Sequence, residues 1–174
     1  MNTKPLVRGK NIYLREVTLN DAQFILNLRL DPAKGRHLSQ TQPGVEKQQE
    51  FIRRYFQSQQ DFYFIICDWS DSPLGTVRIY DIQNDSFCWG SWILSAGAPS
   101  IAAIESALLL YDFAFFSLHY KRTHFDVRKD NRKVIDFHLR MGARIVGATD
   151  VDQLFVYELN DYVEVRKRYA RYLL

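Results

Sequence analysis

The feature that most constrains the fold is the order in which the spacing of apolar residues changes along the chain. Strand-like runs and helical stripes follow in the order β-α-α-β-β-β-α-β-α-β-β, and an amphipathic helix begins at Asp161. Three of the strands, residues 62–67, 76–82 and 87–94, are separated only by short turns, which predicts an antiparallel meander. The order therefore predicts an α/β (α+β) domain in which one strand–loop–helix unit follows the meander.

Composition and length fit one domain spanning residues 1–174, because no linker-like or low-complexity segment interrupts the chain. A net charge of +3 is too weak to indicate a nucleic-acid partner. Cys67 and Cys88 have no CxxC spacing and no histidine at metal spacing, so we expect buried reduced thiols and no metal site. Residues 1–10 lack the apolar stretch of a signal peptide, and no run is long enough to span a membrane. We expect a cytoplasmic monomer or homodimer.

The loop between the strand at residues 87–94 and the apolar helix at residues 101–116 is the first candidate site. A loop that leads into a helix presents unpaired backbone N–H groups and the positive end of the helix dipole, which together suit a pyrophosphate. The loop residues 95–100 are small, so the backbone can approach a ligand closely. An ordinary connection is the alternative that this pattern leaves open.

The second candidate is residues 125–143, which have the pattern of a strand end, a polar turn, a helix and a terminating glycine. Asn131 stands at the junction of strand and helix, where an amide caps a helix or binds a ligand amide. His138 lies two turns further on, close to the same helix face, and Gly142 is predicted to end the helix. A lone histidine on a helix is also typical of a structural residue.

This second segment resembles the strand–helix signature of the GNAT N-acetyltransferase superfamily. The element order matches from Ile12 to Leu159, and residues 13–32 resemble the branch that acetylates ribosomal protein N-termini, antibiotics and nucleotide-linked amino sugars. The resemblance implies a mixed, mostly antiparallel sheet of about seven strands flanked by helices, with a splay between the fourth and fifth strands. It also implies transfer of acetyl from acetyl-CoA to a primary amine by direct attack. The matching signature residues are Val127, Asn131, Val134, His138, Arg140, Gly142 and Ala143.

The chain departs from this family in the loop that holds the CoA pyrophosphate. The family pattern Arg/Gln-x-x-Gly-x-Gly falls on residues 98–103, so the basic residue is absent, Ile101 stands at a glycine position, and Pro99 lies inside the loop. Pro99 has no N–H to donate. A CoA-binding scaffold without catalysis is the alternative that this departure favours. The expected donors are Ser100, Ile101, Ala102 and Ala103.

The resemblance also implies roles around the cofactor. Trp92, Ile93 and Leu94 are expected to offer a free strand edge to the pantetheine arm, and the N–H of Ile93 or Leu94 to polarise the thioester carbonyl. Asn131 is expected to bind the cofactor. Arg128, in a basic cluster beside the slot, is expected to contact the 3′-phosphate of CoA.

His138 is the implied catalytic residue. It stands where many relatives have a tyrosine that protonates the leaving thiolate, and an imidazole can act as a general acid near neutral pH. The general base stays open, because an α-amine or a sugar amine needs little help to lose its proton. Four residues are conceivable for that role: Glu16, His37, Asp81 and His124.

The acceptor is expected between the N-terminal helices and the strands of the meander, lined by His37, Tyr80, Phe87 and Trp89. Rings and basic groups together suit a nucleotide-linked amino sugar, since rings stack on the base and cations meet the diphosphate. A peptide N-terminus is the alternative acceptor that the same residues would accommodate.

Overall fold

The computed structural model describes residues 7–174; residues 1–6, on which part of the signal-peptide expectation rests, lie outside the described residues. The strands are β1 (Val7–Arg8), β2 (Ile12–Glu16), β3 (Phe62–Asp68), β4 (Pro73–Gln83), β5 (Ser86–Leu94), β6 (Arg122–Arg128), β7 (Arg144–Ala148) and β8 (Asp152–Glu158). The α-helices are α1 (Ala22–Leu30), α2 (Val45–Gln57), α3 (Ile101–Asp112), α4 (Arg132–Arg140) and α5 (Leu159–Arg168). Among these helices, none is long and apolar enough to cross a membrane.

The eight strands of the described chain form one sheet in the order β1-β2-β3-β4-β5-β6-β8-β7. Every neighbouring pair is antiparallel except β5 and β6, which run parallel because α3 crosses over between them. This mixed, mostly antiparallel sheet confirms the predicted fold class. It has one strand more than the seven or so predicted, because the two residues of β1 pair with Tyr13 and Leu14 of β2.

The sheet opens between β5 and β6. Because β1 was not predicted from the sequence, these are the fourth and fifth predicted strands, and the predicted splay between them is confirmed. The two strands pair only at their beginnings, where residues 86–88 meet residues 122–124. Beyond that point β5 stays paired with β4, and β6 stays paired with β8. Each strand therefore has one backbone edge that is free toward a gap.

Helices cover both faces of the sheet and divide the core into two layers. α3 and the π-helical turn that continues it, Phe113–Ser117, pack with α5 on one face, where Leu108 and Tyr111 are completely buried. α1 and α2 cover the other face over β2 and β3, with Ile25 and Ile52 completely buried. Each such aliphatic side chain contributes roughly 1.5–3 kcal/mol by burial.

Two carboxylates of α3, the buried Glu105 and the partly buried Asp112, connect distant parts of the fold. Glu105 accepts hydrogen bonds from the backbone and side-chain nitrogens of Asn11 at 2.7 and 2.8 Å, which ties α3 to the start of β2. Asp112 accepts from the Tyr162 hydroxyl at 2.6 Å and from both ends of the Arg166 guanidinium at 2.7 and 2.8 Å, which ties α3 to α5. Hydrogen bonds of this kind, with a charged acceptor, supply partners to carboxylates that lie away from bulk solvent.

α4 is held between two well-defined ends. The Asn131 carbonyl accepts from the N–H groups of Val134 and Ile135 in the first turn. Gly142 ends the helix with φ +95°, a left-handed conformation that favours glycine, as predicted. A Cβ at Gly142 would lie 2.9 Å from a methyl carbon of Val165. Both this close approach and the left-handed φ therefore favour glycine at this position.

Candidate active site

A cavity of about 740 Å³ occupies the gap between β5 and β6. Its walls are the free halves of these strands, its floor is the first two turns of α4, and the loop at residues 31–44, between α1 and α2, lies along one side. A second cavity, about 760 Å³, lies between β7, β8 and α5 and contains none of the predicted site residues. Within residues 7–174, no three potential metal ligands come together.

A β-bulge in β5 shapes the wall of the cavity. Thr76 of β4 pairs with Ile93, whereas Arg78 pairs with Gly90, so two residues of β5 oppose one residue of β4. Ser91, the first of the two, has φ +48°, and its carbonyl accepts a hydrogen bond from the Thr76 hydroxyl at 2.7 Å. Sequence analysis did not single out Ser91, because the bulge depends on the register with β4.

The structure brings the three predicted strand-edge residues to the cavity. Trp92, Ile93 and Leu94 all line it, although the Ile93 side chain is largely buried. The Trp92 indole nitrogen donates to the Ser106 hydroxyl of α3 at 3.1 Å, which fixes the ring against the helix. The ring of Phe137 packs against Trp92 at 5.0 Å between centroids and continues the apolar wall.

The predicted pyrophosphate donors lie at the beginning of α3, at the far end of the gap. Of the four, only Ala103 lines the cavity, whereas Ser100 is exposed to solvent. Ala102 is completely buried, and its N–H already donates to the Pro99 carbonyl at 2.9 Å. The first turn of α3 therefore offers a ligand fewer free N–H groups than the sequence predicts, because the N–H of Ala102 is already bonded to the Pro99 carbonyl.

Asn131 and Arg128 both line the cavity at the turn between β6 and α4. The Asn131 side chain forms no capping hydrogen bond with α4, and only its backbone carbonyl accepts from the first turn of the helix. Its amide group is therefore available to a ligand. Arg128 forms an ion pair with Asp152 of β8 at 3.4 Å, while its side chain stays partly exposed.

His138 reaches the cavity from α4 through a cage of aromatic rings, which includes Trp89, Trp92 and Phe125. Its side chain is only 3% exposed, and its Nδ1 atom is buried without a hydrogen-bond partner. Burial lowers the pKa of His138 to about 3, since the apolar cage disfavours the charged imidazolium. His138 is therefore neutral at pH 7 when no ligand charge is nearby.

Three of the four predicted acceptor residues line the same cavity: His37, Tyr80 and Trp89. Phe87 does not, and this corrects the sequence-based assignment. Its side chain is fully buried on the α3 face, where it packs against Phe115 and Tyr120 at 5.6 and 5.4 Å. Phe87 lies where β5 is still paired with β6, so no gap opens beside it.

The loop at residues 31–44 is attached at both ends of the cavity. Arg29 holds it through hydrogen bonds from Nε to the Thr41 hydroxyl at 2.6 Å and from Nη2 to Ser39. Across the cavity, His37 Nδ1 contacts the Asp130 carboxylate at 3.2 Å. The Arg36 Nε donates to His37 Nε2 at 2.8 Å, so a neutral His37 carries its proton on Nδ1 and donates it to Asp130.

Of the conceivable bases, only His37 lines the cavity. Glu16 accepts a hydrogen bond from the Tyr55 hydroxyl at 2.8 Å, under α2. Asp81 and His124 contact each other at 3.0 Å and, with Ser86, form a chain at the paired end of β5 and β6. Two carboxylates line the cavity, Asp126 and Asp130, and sequence analysis did not single out Asp126 as a candidate base.

Comparison with known proteins identifies this arrangement. The family model described as "Acetyltransferase (GNAT) domain" matches residues 11–144. The apo structure of FdhC, described as a nucleotide-linked sugar GNAT, is 39% identical, with a TM-score of 0.90 over 99% of this chain and 100% of that chain. No match was found among curated protein sequences.

More distant structures share the fold. A spermidine N-acetyltransferase from Vibrio cholerae, solved with CoA and spermine, is 16% identical, with a TM-score of 0.76 over 88% of this chain and 98% of that chain. A GCN5-related N-acetyltransferase from Brucella melitensis is 17% identical, with a TM-score of 0.80 over 96% of this chain and 84% of that chain. The splayed sheet and its cavity are thus those of an acyltransferase. The chain belongs to the GNAT acetyltransferase family, and it is an N-acetyltransferase.

Proposed function

We propose that this N-acetyltransferase uses acetyl-CoA to acetylate the amino group of a nucleotide-linked sugar. The observation that carries the choice of acceptor is the charge on the loop side of the cavity. Arg29, Lys34 and Arg36 line that side, and none of them pairs with a carboxylate among the described residues. Guanidinium and ammonium groups bind phosphate oxygens, and a nucleotide sugar supplies a diphosphate.

Arg29 is the most informative of these cations. Burial lowers its pKa, yet an arginine side chain keeps its charge in proteins. Its hydrogen bonds go to the neutral oxygens of Ser39 and Thr41, so the charge itself has no counter-ion within residues 7–174. An anionic acceptor would supply one.

The similar proteins support the same choice. FdhC, at 39% identity, is described as a nucleotide-linked sugar GNAT. The Vibrio cholerae enzyme was solved with spermine, and three unpaired cations in the acceptor side would repel such a polycation. Tyr80 adds aromatic surface to the same cavity, which suits the base or the sugar ring, whereas Trp89 is largely buried beside His138.

The gap fits acetyl-CoA, which supplies the activated acetyl group when bound. The free edges of β5 and β6 present backbone groups that an extended arm with two amides can satisfy. We assign Trp92, Ile93 and Leu94 to the arm, and the first turn of α3 to the pyrophosphate. Asn131 offers an amide to the same arm, and Arg128 offers a cation at the turn before α4.

His138 is assigned to the leaving sulfur. Its imidazole is neutral in this structure and can donate a hydrogen bond toward the gap. Negative charge on sulfur inside the aromatic cage would favour the protonated imidazole, because an opposite charge nearby offsets the cost of burial. A histidine here can therefore respond to the charge that develops during the reaction.

The first test is calorimetric titration with acetyl-CoA, followed by turnover with a nucleotide-linked amino sugar, a peptide with a free N-terminus, and spermine. We expect micromolar acetyl-CoA binding and the highest kcat/KM with the sugar. Arg36→Ala should raise the KM for the sugar about tenfold, equivalent to one lost charge-assisted contact. Arg53→Ala, an exposed change on α2 away from the cavity, is the matched control.

Two results would count against the proposal. Failure to bind acetyl-CoA would leave a scaffold of this fold as the better description. A higher kcat/KM for the peptide or for spermine, with no effect of Arg36→Ala, would show that the cations of the loop do not select a diphosphate.

A further inference from the structure

Two carboxylates line the cavity, and only Asp126 is without a partner among residues 7–174. The other, Asp130, is engaged by His37 at 3.2 Å. Asp126 stands on β6, where its backbone pairs with Leu154 of β8 and its side chain is open to the gap. Asp126 is exposed to solvent on this side of the strand, so its carboxylate is accessible to a ligand in the gap.

The alternation along β6 determines which side of the gap Asp126 faces. Phe125 and Val127 are buried in the layer that contains α3, so Asp126 points to the opposite side, toward the acceptor loop. His124 is the last residue of β6 that pairs with β5. Asp126 is therefore the first side chain on the acceptor side after the two strands separate.

The counterpart of Asp126 on β5 is a glycine. Cys88 pairs with His124, so Gly90 lies level with Asp126 across the gap. A Cβ at Gly90 would lie 2.8 Å from the Tyr80 hydroxyl oxygen, which shows that the phenol occupies the space above the glycine. The result is a small polar recess next to the bulge at Ser91, bounded by a phenol and a carboxylate.

His138 lies on the other side of the gap. Its ring packs on Phe125 at 4.5 Å between centroids, on the α3 side of β6. Asp126 and His138 thus flank the cavity from opposite sides of one strand. Such an arrangement separates the group that serves the incoming amine from the group that serves the leaving sulfur.

We propose that Asp126 is the general base that takes the proton from the acceptor amine as the amine attacks. The inference rests on the proposed function, because it assumes an amine in the recess beside Tyr80. The C–N bond forms as the C–S bond breaks, and the electron pair of the C–S bond leaves with sulfur. The proton lost by nitrogen passes to Asp126 and then to solvent, and sulfur takes up a proton that His138 relays from solvent.

The electrostatics of the recess are consistent with this role. Burial raises the pKa of Asp126, and the charge of Asp152 raises it further, while Arg128 opposes them. A higher pKa makes the carboxylate a better proton acceptor. The other titratable groups that face it, Tyr80 and Cys88, have pKa values raised by burial and are neutral.

The test compares Asp126→Asn with Asp136→Asn, which removes an exposed carboxylate from α4. We expect Asp126→Asn to lower kcat about 100-fold on the best amine of the panel. The acetyl-CoA dissociation constant and the acceptor KM should stay within about twofold, because the amide keeps the size of the side chain. Asp136→Asn should leave kcat unchanged.

Two further readouts separate a base from a structural residue. Asp152→Asn should move the acidic limb of the kcat profile to lower pH, since it removes a charge that raises the pKa of Asp126. Formate should partly restore turnover to Asp126→Ala, since a small carboxylate can enter the vacated recess. Neither effect is expected if Asp126 only supports the fold.

The outcomes distinguish this inference from the choice of acceptor. If the wild-type enzyme prefers the peptide or spermine, the proposed acceptor is wrong, and the Asp126 comparison is made on that amine. If no amine reacts, the comparison is made on acetyl-CoA hydrolysis, in which water occupies the amine position. The inference is overturned if Asp126→Asn keeps kcat within threefold of wild type between pH 5 and 9.

Discussion

At the scale of single residues, His138 makes stability depend on pH. Its pKa in the folded state, about 3, is below the ordinary value of 6.5. Between these two values the unfolded chain binds more protons than the folded one, so the free energy of unfolding falls as pH drops below 6.5. Lowering the pH from 7 to 5 should therefore cost about 2 kcal/mol through this residue alone.

Denaturant titrations of wild type and His138→Gln at pH 7 and pH 5 measure this contribution. The variant has no imidazole at this position to protonate. Its free energy of unfolding should therefore fall between pH 7 and pH 5 by about 2 kcal/mol less than that of wild type. Carboxyl groups that begin to titrate near pH 5 affect both proteins alike. An equal loss in both would mean that His138 is not desolvated in solution.

The sequence predicted which residues line the cavity where a local motif determines where a residue lies in the fold. The strand–turn–helix signature correctly placed Asn131 and His138 at the cavity, although their roles stay predictions. Phe87 was misplaced, because it lies where β5 and β6 are still paired, and no local pattern reports where a gap begins. Asp126 could have been found, since the polar residues of β6 alternate with Phe125 and Val127.

At the scale of elements, the attachment of α5 to α3 depends on one ion pair with good geometry. Arg166→Ala removes two charge-assisted bonds to Asp112 and leaves that carboxylate with Tyr162 as its remaining partner. We expect a loss of about 1.5 kcal/mol in the free energy of unfolding, tempered by the partial exposure of Arg166.

Lys167→Ala is the matched control on the same helix. Lys167 pairs with Glu164 at 2.7 Å, but both side chains are about two-thirds exposed, so the pair should contribute less than about 0.5 kcal/mol. Chemical denaturation of the two variants measures both losses in the free energy of unfolding. Equal losses would show that Asp112 does not anchor α5 in solution.

Element boundaries followed from the sequence where the pattern changes sharply. The strands predicted over residues 62–67 and 87–94 are found at Phe62–Asp68 and Ser86–Leu94, because short turns flank them. The helix predicted over residues 101–116 instead ends at Asp112 and continues as a π-helical turn. Apolar side chains occur on every face of this segment, so periodicity gives no sign of the change.

At the scale of the whole molecule, the chain should unfold as one unit. We expect this because Glu105 ties α3 to β2 and because β5, α3 and β8 share one core. Differential scanning calorimetry should show one transition whose calorimetric and van't Hoff enthalpies agree. Two resolved transitions would mean that the halves on either side of the gap fold independently.

The gap between β5 and β6 has one more consequence, for the behaviour of the protein in a crowded solution. Unpaired strand edges normally invite other chains to add a strand, and they are a common origin of aggregation. Here the open edges of β5 and β6 face each other across a cavity instead of facing solvent. A thin, flexible ligand can enter, whereas a neighbouring polypeptide with bulky side chains is sterically shut out. The unpaired N–H and C=O groups of β5 and β6 are therefore accessible to a ligand, but another chain cannot add a β-strand to them.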